Sequence, residues 1–278
     1  MKRSCSCDPR RRRGGFVLLI VLTLIAVSGL YAAGTARMSM AIVLESAARQ
    51  GDLQDHWARE SLKTIVLRNA PRILMPPGRA TAVRTSLSHV VTLRGLSYRL
   101  ILADEDAKLP VNTVRRMLDP ETAARIVESA CSGTRLRKGE DRQAPFGAWE
   151  EALKFNEGMP GPEILAAATG NVTLWGSGRI NVNRARSEVV AALMTEAFSS
   201  QTADRLLEII GRGRVSSLQD LASKLALNME QRQKLERLAG ATSDAYSLWI
   251  LPTRGRNVEL QVVERMSQQH GGTVSFHW

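Results

Sequence analysis

Cysteine is scarce. Beyond residue 7 the chain has one, Cys131; the other two, Cys5 and Cys7, lie near the front. An intramolecular disulfide beyond residue 7 is therefore excluded, and what folds there is held by its core, bound ions or partners. Cys131 stands among Ile126, Val127 and Ala130, which predicts a small buried apolar role rather than a reactive thiol. Histidine is scarce too. His56, His89, His270 and His277 are scattered, with no cysteine or histidine at ligand spacing, so no metal site is expected on them. The chain has neither a G-x-x-x-x-G-K-S/T phosphate loop nor a G-x-S-x-G elbow. Gly176-Ser177-Gly178 is a lone glycine pair and reads as a turn. No enzyme is expected.

Charge is missing from residues 16–36 altogether. The residues before them are basic: Lys2, Arg3, Arg10, Arg11, Arg12 and Arg13 stand against Asp8 alone, so residues 1–15 carry +5 of the total +11 and the rest carries +6. What remains is modestly basic, with no run dense enough for a nucleic-acid arm. A bilayer is crossed as a helix by about 20 predominantly apolar residues, and residues 16–36 meet that length with little to spare. Arginines on one side only place residues 1–15 in the cytoplasm and everything after Ala36 on the far side. Two plain readings compete here: a signal anchor, and a cleaved secretory signal with Ser28-Gly29 or Ala32-Ala33-Gly34 as its small-residue site. Against the second stands the order of residues, a basic leader ending in Gly15 and followed at once by Phe16 and a long apolar run.

Proline is absent from residues 38–68, where Val43, Ala47, Leu53, Trp57, Ser61 and Ile65 share one helical face. A single helix over residues 16–68 would reach about 80 Å at 1.5 Å per residue, half in the membrane and half on a soluble domain. Gly51 weakens it by about 1 kcal/mol relative to alanine, and Pro71, Pro76, Pro77 and Gly78 end it. Residues 87–93 and 96–103 read as a hairpin around Arg94-Gly95. The pattern is then mostly helical to residue 240. Asn112-Thr113 predicts a cap for a short helix through Leu118; a second helix starts at Asp119-Pro120 and ends near Cys131. A loop at 132–147 precedes short helices near 148–155 and 162–169 and a brief strand at 172–175. Asn181 and Asn183 precede a helix at 184–197, and helices near 201–210, 217–226 and 229–239 follow. Asn112, Asn181 and Asn183 each read as helix caps, and their repeat suggests two small helical modules with similar openings. Residues 246–251, 257–265 and 273–278 read as strands. A helical block inserted into one sheet is the economical arrangement. The expected class is α+β, divided into a leader (1–15), a membrane helix (16–36), an amphipathic helix with the first strands (37–103), a helical insertion (104–240) and closing strands (241–278).

The leader resembles a type IV prepilin-like signal, which a prepilin peptidase cuts after the glycine while the apolar helix is kept. The resemblance implies processing between Gly15 and Phe16 and a methylated amine on Phe16. Most such proteins carry glutamate as the fifth mature residue; here that position is Ile20. A carboxylate inside the bilayer is retained only with a partner or a function. Among pseudopilins the K-type minor one characteristically lacks it. Other segments fit the same family: residues 104–113, Asp-Glu-Asp-Ala-Lys-Leu-Pro-Val-Asn-Thr, where the insertion begins; residues 178–185, Gly-Arg-Ile-Asn-Val-Asn-Arg-Ala, in its middle, followed by Glu188-Val189-Val190 and Ala192-Leu193; and Ser275-Phe276-His277-Trp278 at the end. Over nearly its whole length the chain resembles the type II secretion minor pseudopilin K, the general secretion pathway protein K family. That implies a pilin-like membrane helix packed on a small antiparallel sheet, with a large all-α insertion of SAM-like or helix-hairpin-helix-like kind. It implies a non-enzymatic role in protein export at the pseudopilus tip. The partners implied are the I- and J-type minor pseudopilins, the prepilin peptidase and the inner-membrane secretion platform. It implies a single pass through the inner membrane, with the N-terminus cytoplasmic and the bulk periplasmic.

Two departures bear on cofactors. The family's acidic aspartate-tryptophan stretch is missing between Glu128 and Glu163, and the threonine usual after the second asparagine pair is Arg184. Calcium sites of the family are therefore not carried over. Calcium takes six to eight oxygen ligands; Asp104, Glu105 and Asp106 are weak candidates for a few of them, and a solvated turn is the expected reading. A competing function is a membrane-anchored helix-hairpin-helix DNA-binding protein of a competence or uptake system, carried by residues 180–221. Its hairpin needs a G-x-G turn whose amides approach phosphate. Residues 195–200 hold no glycine, and Gly211-Arg212-Gly213 comes after the second helix, so nucleic acid is not expected as a partner. A generic signal-anchored periplasmic binding module is the blandest alternative.

Overall fold

The computed structural model describes residues 11–75, 85–93, 95–131, 134–137, 144–155, 162–252, 259–264 and 273–277. The leader residues 1–10, the loop after Met75, the turns expected at 253–256 and 270–272, and Trp278 lie outside them. Two compact units are present, Met1–Ala58 and Arg59–Trp278.

Helix α1, Arg11–Arg68, begins five residues before Phe16, so Gly14 and Gly15 lie within it. Its most apolar stretch has a mean hydropathy of 2.5, long and apolar enough by length and composition to cross a membrane. Thr23 and Thr35 turn their hydroxyls back onto carbonyls of their own helix, Ile20 O at 2.8 Å and Ala32 O at 3.0 Å. Those polar groups are thus satisfied within the segment, as a lipid environment demands. The expected stripe differs from the observed one. Val43, Leu53, Trp57 and Ile65 are exposed, whereas within the second unit Leu62 and Lys63 are buried. Leu62 lies one turn before Val66, on a face the apolar count alone did not select. Helix α2, Ala70–Leu74, follows with Pro71 in its first turn and buries Ala70 and Leu74.

The hairpin forms as its alternation dictates: β1, Ser86–Leu93, pairs antiparallel with β2, Leu96–Asp104. After one 3-10 turn, Glu105–Ala107, the chain makes β3 (Leu109–Pro110), α3 (Val111–Met117), α4 (Pro120–Ala130), β4 (Arg135–Leu136), α5 (Trp149–Ala152), β5 (Leu153–Lys154), α6 (Pro162–Ala168) and β6 (Val172–Thr173). It continues through β7 (Ile180–Asn181), α7 (Ser187–Ala197), α8 (Ser200–Arg212), α9 (Leu218–Lys224), α10 (Met229–Leu238) and β8 (Ala239–Gly240). Strands β9 (Ala245–Pro252), β10 (Glu259–Glu264) and β11 (Thr273–His277) close it. The main sheet has the order β1-β2-β9-β10-β11, antiparallel throughout. Leu100 lies opposite Ile250, so the strands flanking the helical block are neighbours in one sheet. The class is α+β, as expected.

The insertion is two modules built alike. Each opens on a two-residue strand that pairs in parallel with its own closing strand: β3 with β6, and β7 with β8. Each then runs through a helix pair, α3–α4 or α7–α8. The second helix of each pair starts from a side-chain cap, since Asp119 accepts from Thr122 N at 2.9 Å and Ser199 from Thr202 N at 3.2 Å. Leu109, Val114, Val127, Leu153, Leu165, Val190, Leu193, Leu206, Leu221 and Leu238 belong to one core that also reaches Trp249 and Leu251 of β9. Cys131 is buried in that core as predicted, and burial pushes its thiol up to about 11.

Candidate functional site

Where β2 ends, the chain turns into the insertion through Asp104, Glu105 and Asp106. These were expected in water. All three are instead buried, at 0, 1 and 2 % exposure. The reason lies in their partners, which arrive from far along the chain. Asp104 Oδ1 accepts from Ala107 N at 3.2 Å and holds the 3-10 turn. Its Oδ2 accepts from Ser243 Oγ at 2.7 Å and lies 2.9 Å from Arg184 Nε, itself buried. Glu105 Oε1 accepts from Lys108 Nζ at 2.6 Å and from the Ser247 hydroxyl of β9, and Oε2 accepts from Thr173 Oγ1 of β6. Asp106 Oδ1 takes both the N–H and the hydroxyl of Ser177 at 2.8 Å; Oδ2 takes Asp244 N at 2.7 Å and Ala245 N at 3.0 Å. One turn thus ties the sheet, the end of the first module, the loop between modules and the start of the second.

Burial pushes the Asp104 carboxyl up to about 6, against the pull of Arg184 and Ser243. Burial also raises Asp106, opposed by the N–H groups of Asp244 and Ser177. Tyr246 is pushed up to about 12, by burial first and then by the Asp104 charge. A carboxyl whose folded value exceeds its unfolded one favours the fold most when neutral. The Asp104 contribution is therefore fully present below about pH 3.8 and is lost as pH rises through about 6. Its size is about 3 kcal/mol. Urea midpoints at pH 7.5 and pH 5 are expected to show wild type gaining more on acidification than Asp104→Asn does, and equal gains would refute the assignment.

The asparagines are not caps. Helix α3 takes Pro110 at its cap position and α7 takes Arg186, neither with a side-chain hydrogen bond. Asn112 sits inside the first turn of α3, and its neighbour Thr113 is buried there. Asn112 Oδ1 accepts from Phe146 N at 2.8 Å, and its Nδ2 donates to Phe146 O and Leu174 O, each at 3.1 Å. Asn183 repeats this in the second module. Its Oδ1 accepts from Val215 N at 2.7 Å, and its Nδ2 donates to Val215 O and Ala241 O, each at 2.9 Å. Each amide therefore replaces a strand partner for one residue and fastens the carbonyl that follows the closing strand. Asparagine is required because it alone among short side chains presents an acceptor and two donors in one plane. Asn181 works differently: its Oδ1 accepts from Asn183 N at 3.0 Å, an Asx turn, and its Nδ2 donates to Ser243 Oγ at 2.7 Å. That turn occupies residues 182–185, so α7 begins at Ser187 rather than Arg184.

Gly176 and Gly178 flank Ser177 and carry positive φ, +96° and +74°. A Cβ on Gly176 would stand 2.9 Å from Asp106 Oδ1, and one on Gly178 would stand 2.9 Å from Thr113 Oγ1. Gly178→Ala is expected to cost about 2 kcal/mol from the left-handed backbone alone. Gly211→Ala, in α8 with open space around it, is expected to gain up to about 1 kcal/mol. Urea midpoints moving in opposite directions with unchanged slopes check the pair.

The sequence singled out the acidic turn and the asparagines but missed Ser177, Arg184, Ser243 and Ser247, which complete them. Of these, Arg184 carried a signal, as the residue standing where the family usually has threonine. Gly15 and Phe16 lie in α1.

No protein-family model matches the chain, and no curated protein does. Among solved structures, a chain in the crystal structure of the GspK-GspI-GspJ complex from the enterotoxigenic Escherichia coli type 2 secretion system is similar at 14% identity. The TM-score is 0.46, over 84% of this chain and 98% of that one.

Proposed function

We propose that the chain is a minor pseudopilin of type II secretion, of the K type, held in the inner membrane by the first part of α1. A prepilin peptidase cuts between Gly15 and Phe16, the new amine is methylated, and the mature chain joins the I- and J-type minor pseudopilins at the pseudopilus tip above the secretion platform. The observation that carries this reading is the leader: basic residues, then Gly15-Phe16, then an unbroken α1 whose side chains over residues 16–54 are exposed and whose fifth mature position is Ile20. The two-module insertion supports a tip position. A side body of this size on every subunit would obstruct helical stacking. The role is structural, since the buried polar residues of the insertion hold one another rather than face a substrate.

Two contacts at the α7–α8 turn weigh against the DNA-binding reading. There Ser199 occupies Thr202 N, and Lys234 Nζ donates to Ala197 O at 2.5 Å. Mass spectrometry of the N-terminal peptide, from cells with and without the peptidase, tests the proposal. The expected product starts at Phe16 with a methylated amine only when the peptidase is present. A start after Ala33 would sink it.

A further inference from the structure

We propose that the acidic turn is neutralised from within the chain, by Arg184, Lys108 and a set of N–H and O–H donors, and takes no divalent cation. Three carboxylates offer about twelve acceptor positions. Their six oxygens already meet nine hydrogen-bond donors and one guanidinium: Ala107 N and Ser243 Oγ on Asp104, with Arg184 Nε paired to it at 2.9 Å; Lys108 Nζ, Ser247 Oγ and Thr173 Oγ1 on Glu105; Ser177 N and Oγ, Asp244 N and Ala245 N on Asp106. A calcium ion wants six to eight oxygens turned toward it. Here hydrogens are turned toward the carboxylates instead. Among the described residues, no three histidine, cysteine or acidic side chains converge on one point.

The countercharges are as buried as the acids. Arg184 is 5 % and Lys108 6 % exposed, and each lies against its carboxylate, Arg184 on Asp104 and Lys108 on Glu105. Two positive charges therefore meet two of the three negative ones. The third, on Asp106, is spread over three backbone N–H groups and one hydroxyl. Seating an ion on Asp106 would displace Asp244 N and Ala245 N, the amides that lead into β9. The joint between sheet and insertion is then independent of calcium and dependent on Arg184. This inference stands apart from the proposed role in secretion.

The test is a thermal melt of the full chain in detergent micelles, read by tryptophan fluorescence, after EDTA treatment and again with about 5 mM calcium, above the range in which weak extracellular sites fill. A calcium site at the turn would raise the midpoint by about 5 °C. Wild type and Asp106→Asn are expected to respond to calcium alike, within about 1 °C. A rise in wild type that Asp106→Asn loses overturns the proposal; Glu105→Gln is run in parallel in case Asp106→Asn does not fold. A second arm needs no calcium. Arg184→Met should lower the midpoint by several degrees, and the double variant Arg184→Met with Asp104→Asn should recover at least half of that loss, because the stranded carboxylate is removed. A double variant no more stable than Arg184→Met alone would show that Arg184 does not neutralise Asp104, and would also overturn it.

Discussion

Replacing Asn183 with aspartate is expected to cost the fold about 4 kcal/mol, a large share of the 5–15 kcal/mol that holds a typical domain. The change is nearly isosteric, so packing is not the cause. The oxygen that accepts from Val215 N is kept. The group that donates to Val215 O and Ala241 O becomes a second acceptor, and a negative charge then faces two carbonyls in a half-buried site. Both carbonyls lose their donor at about 1–3 kcal/mol each. Asn183→Ala loses three bonds but adds no repulsion, so it should be the milder of the two, at about 3 kcal/mol. A helix cap would behave in the opposite way. Aspartate caps as well as asparagine does, and its charge suits a helix N-terminus. The order wild type, then Asn183→Ala, then Asn183→Asp in urea midpoints identifies a clamp; near-equality of wild type and Asn183→Asp identifies a cap. The equivalent pair at Asn112 should rank the same way.

Gly15→Val is expected to abolish processing. The proposed reading places the scissile bond directly after Gly15, where a peptidase must approach the backbone closely, and a glycine offers that approach because it has no Cβ. Because α1 already runs as a helix from Arg11, a β-branched residue there restricts both the approach and any local unwinding the cut requires. Immunoblots of membranes should show only the full-length precursor, and export of the secreted cargo should fall to the level of a strain lacking the protein. Ile20→Glu is the control, since it changes the membrane segment without touching the cut. Normal processing in Gly15→Val would remove the prepilin reading and leave a plain anchor.

The main strands and helices were readable because each is a local pattern. Tyr98, Leu100 and Leu102 alternate in β2, and Asp119-Pro120 starts α4 by a cap and a fixed backbone angle. The pairing of β2 with β9 followed from economy, one sheet being cheaper in exposed edges than two. What could not be read was where the polar side chains of the insertion point. Asp104, Glu105 and Asp106 look like a solvated turn because three adjacent charges are costly to bury alone. Their cost is offset by Thr173, Arg184, Ser243 and Ser247, and no local pattern announces partners that distant. Asn112 and Asn183 precede helices in the sequence as caps do, yet their amides reach residues 34 and 32 positions further on. The stripe on α1 failed for a related reason. Periodicity finds an apolar face but does not say which face will be buried.

The neighbouring positions of β2 and β9 also set an order of assembly. Bringing Leu100 and Ile250 together from a disordered chain carries a loop-closure cost of about 4 kcal/mol, which a compact insertion lowers. The two modules close on themselves through their own parallel strand pairs and asparagine clamps, and so shorten that loop before the sheet forms. The expected order is therefore the insertion first and the central strand pairing last. Until that step, the hydrogen-bonding edge of β2 stays open to other strands, and the speed with which the modules fold limits how long it does so.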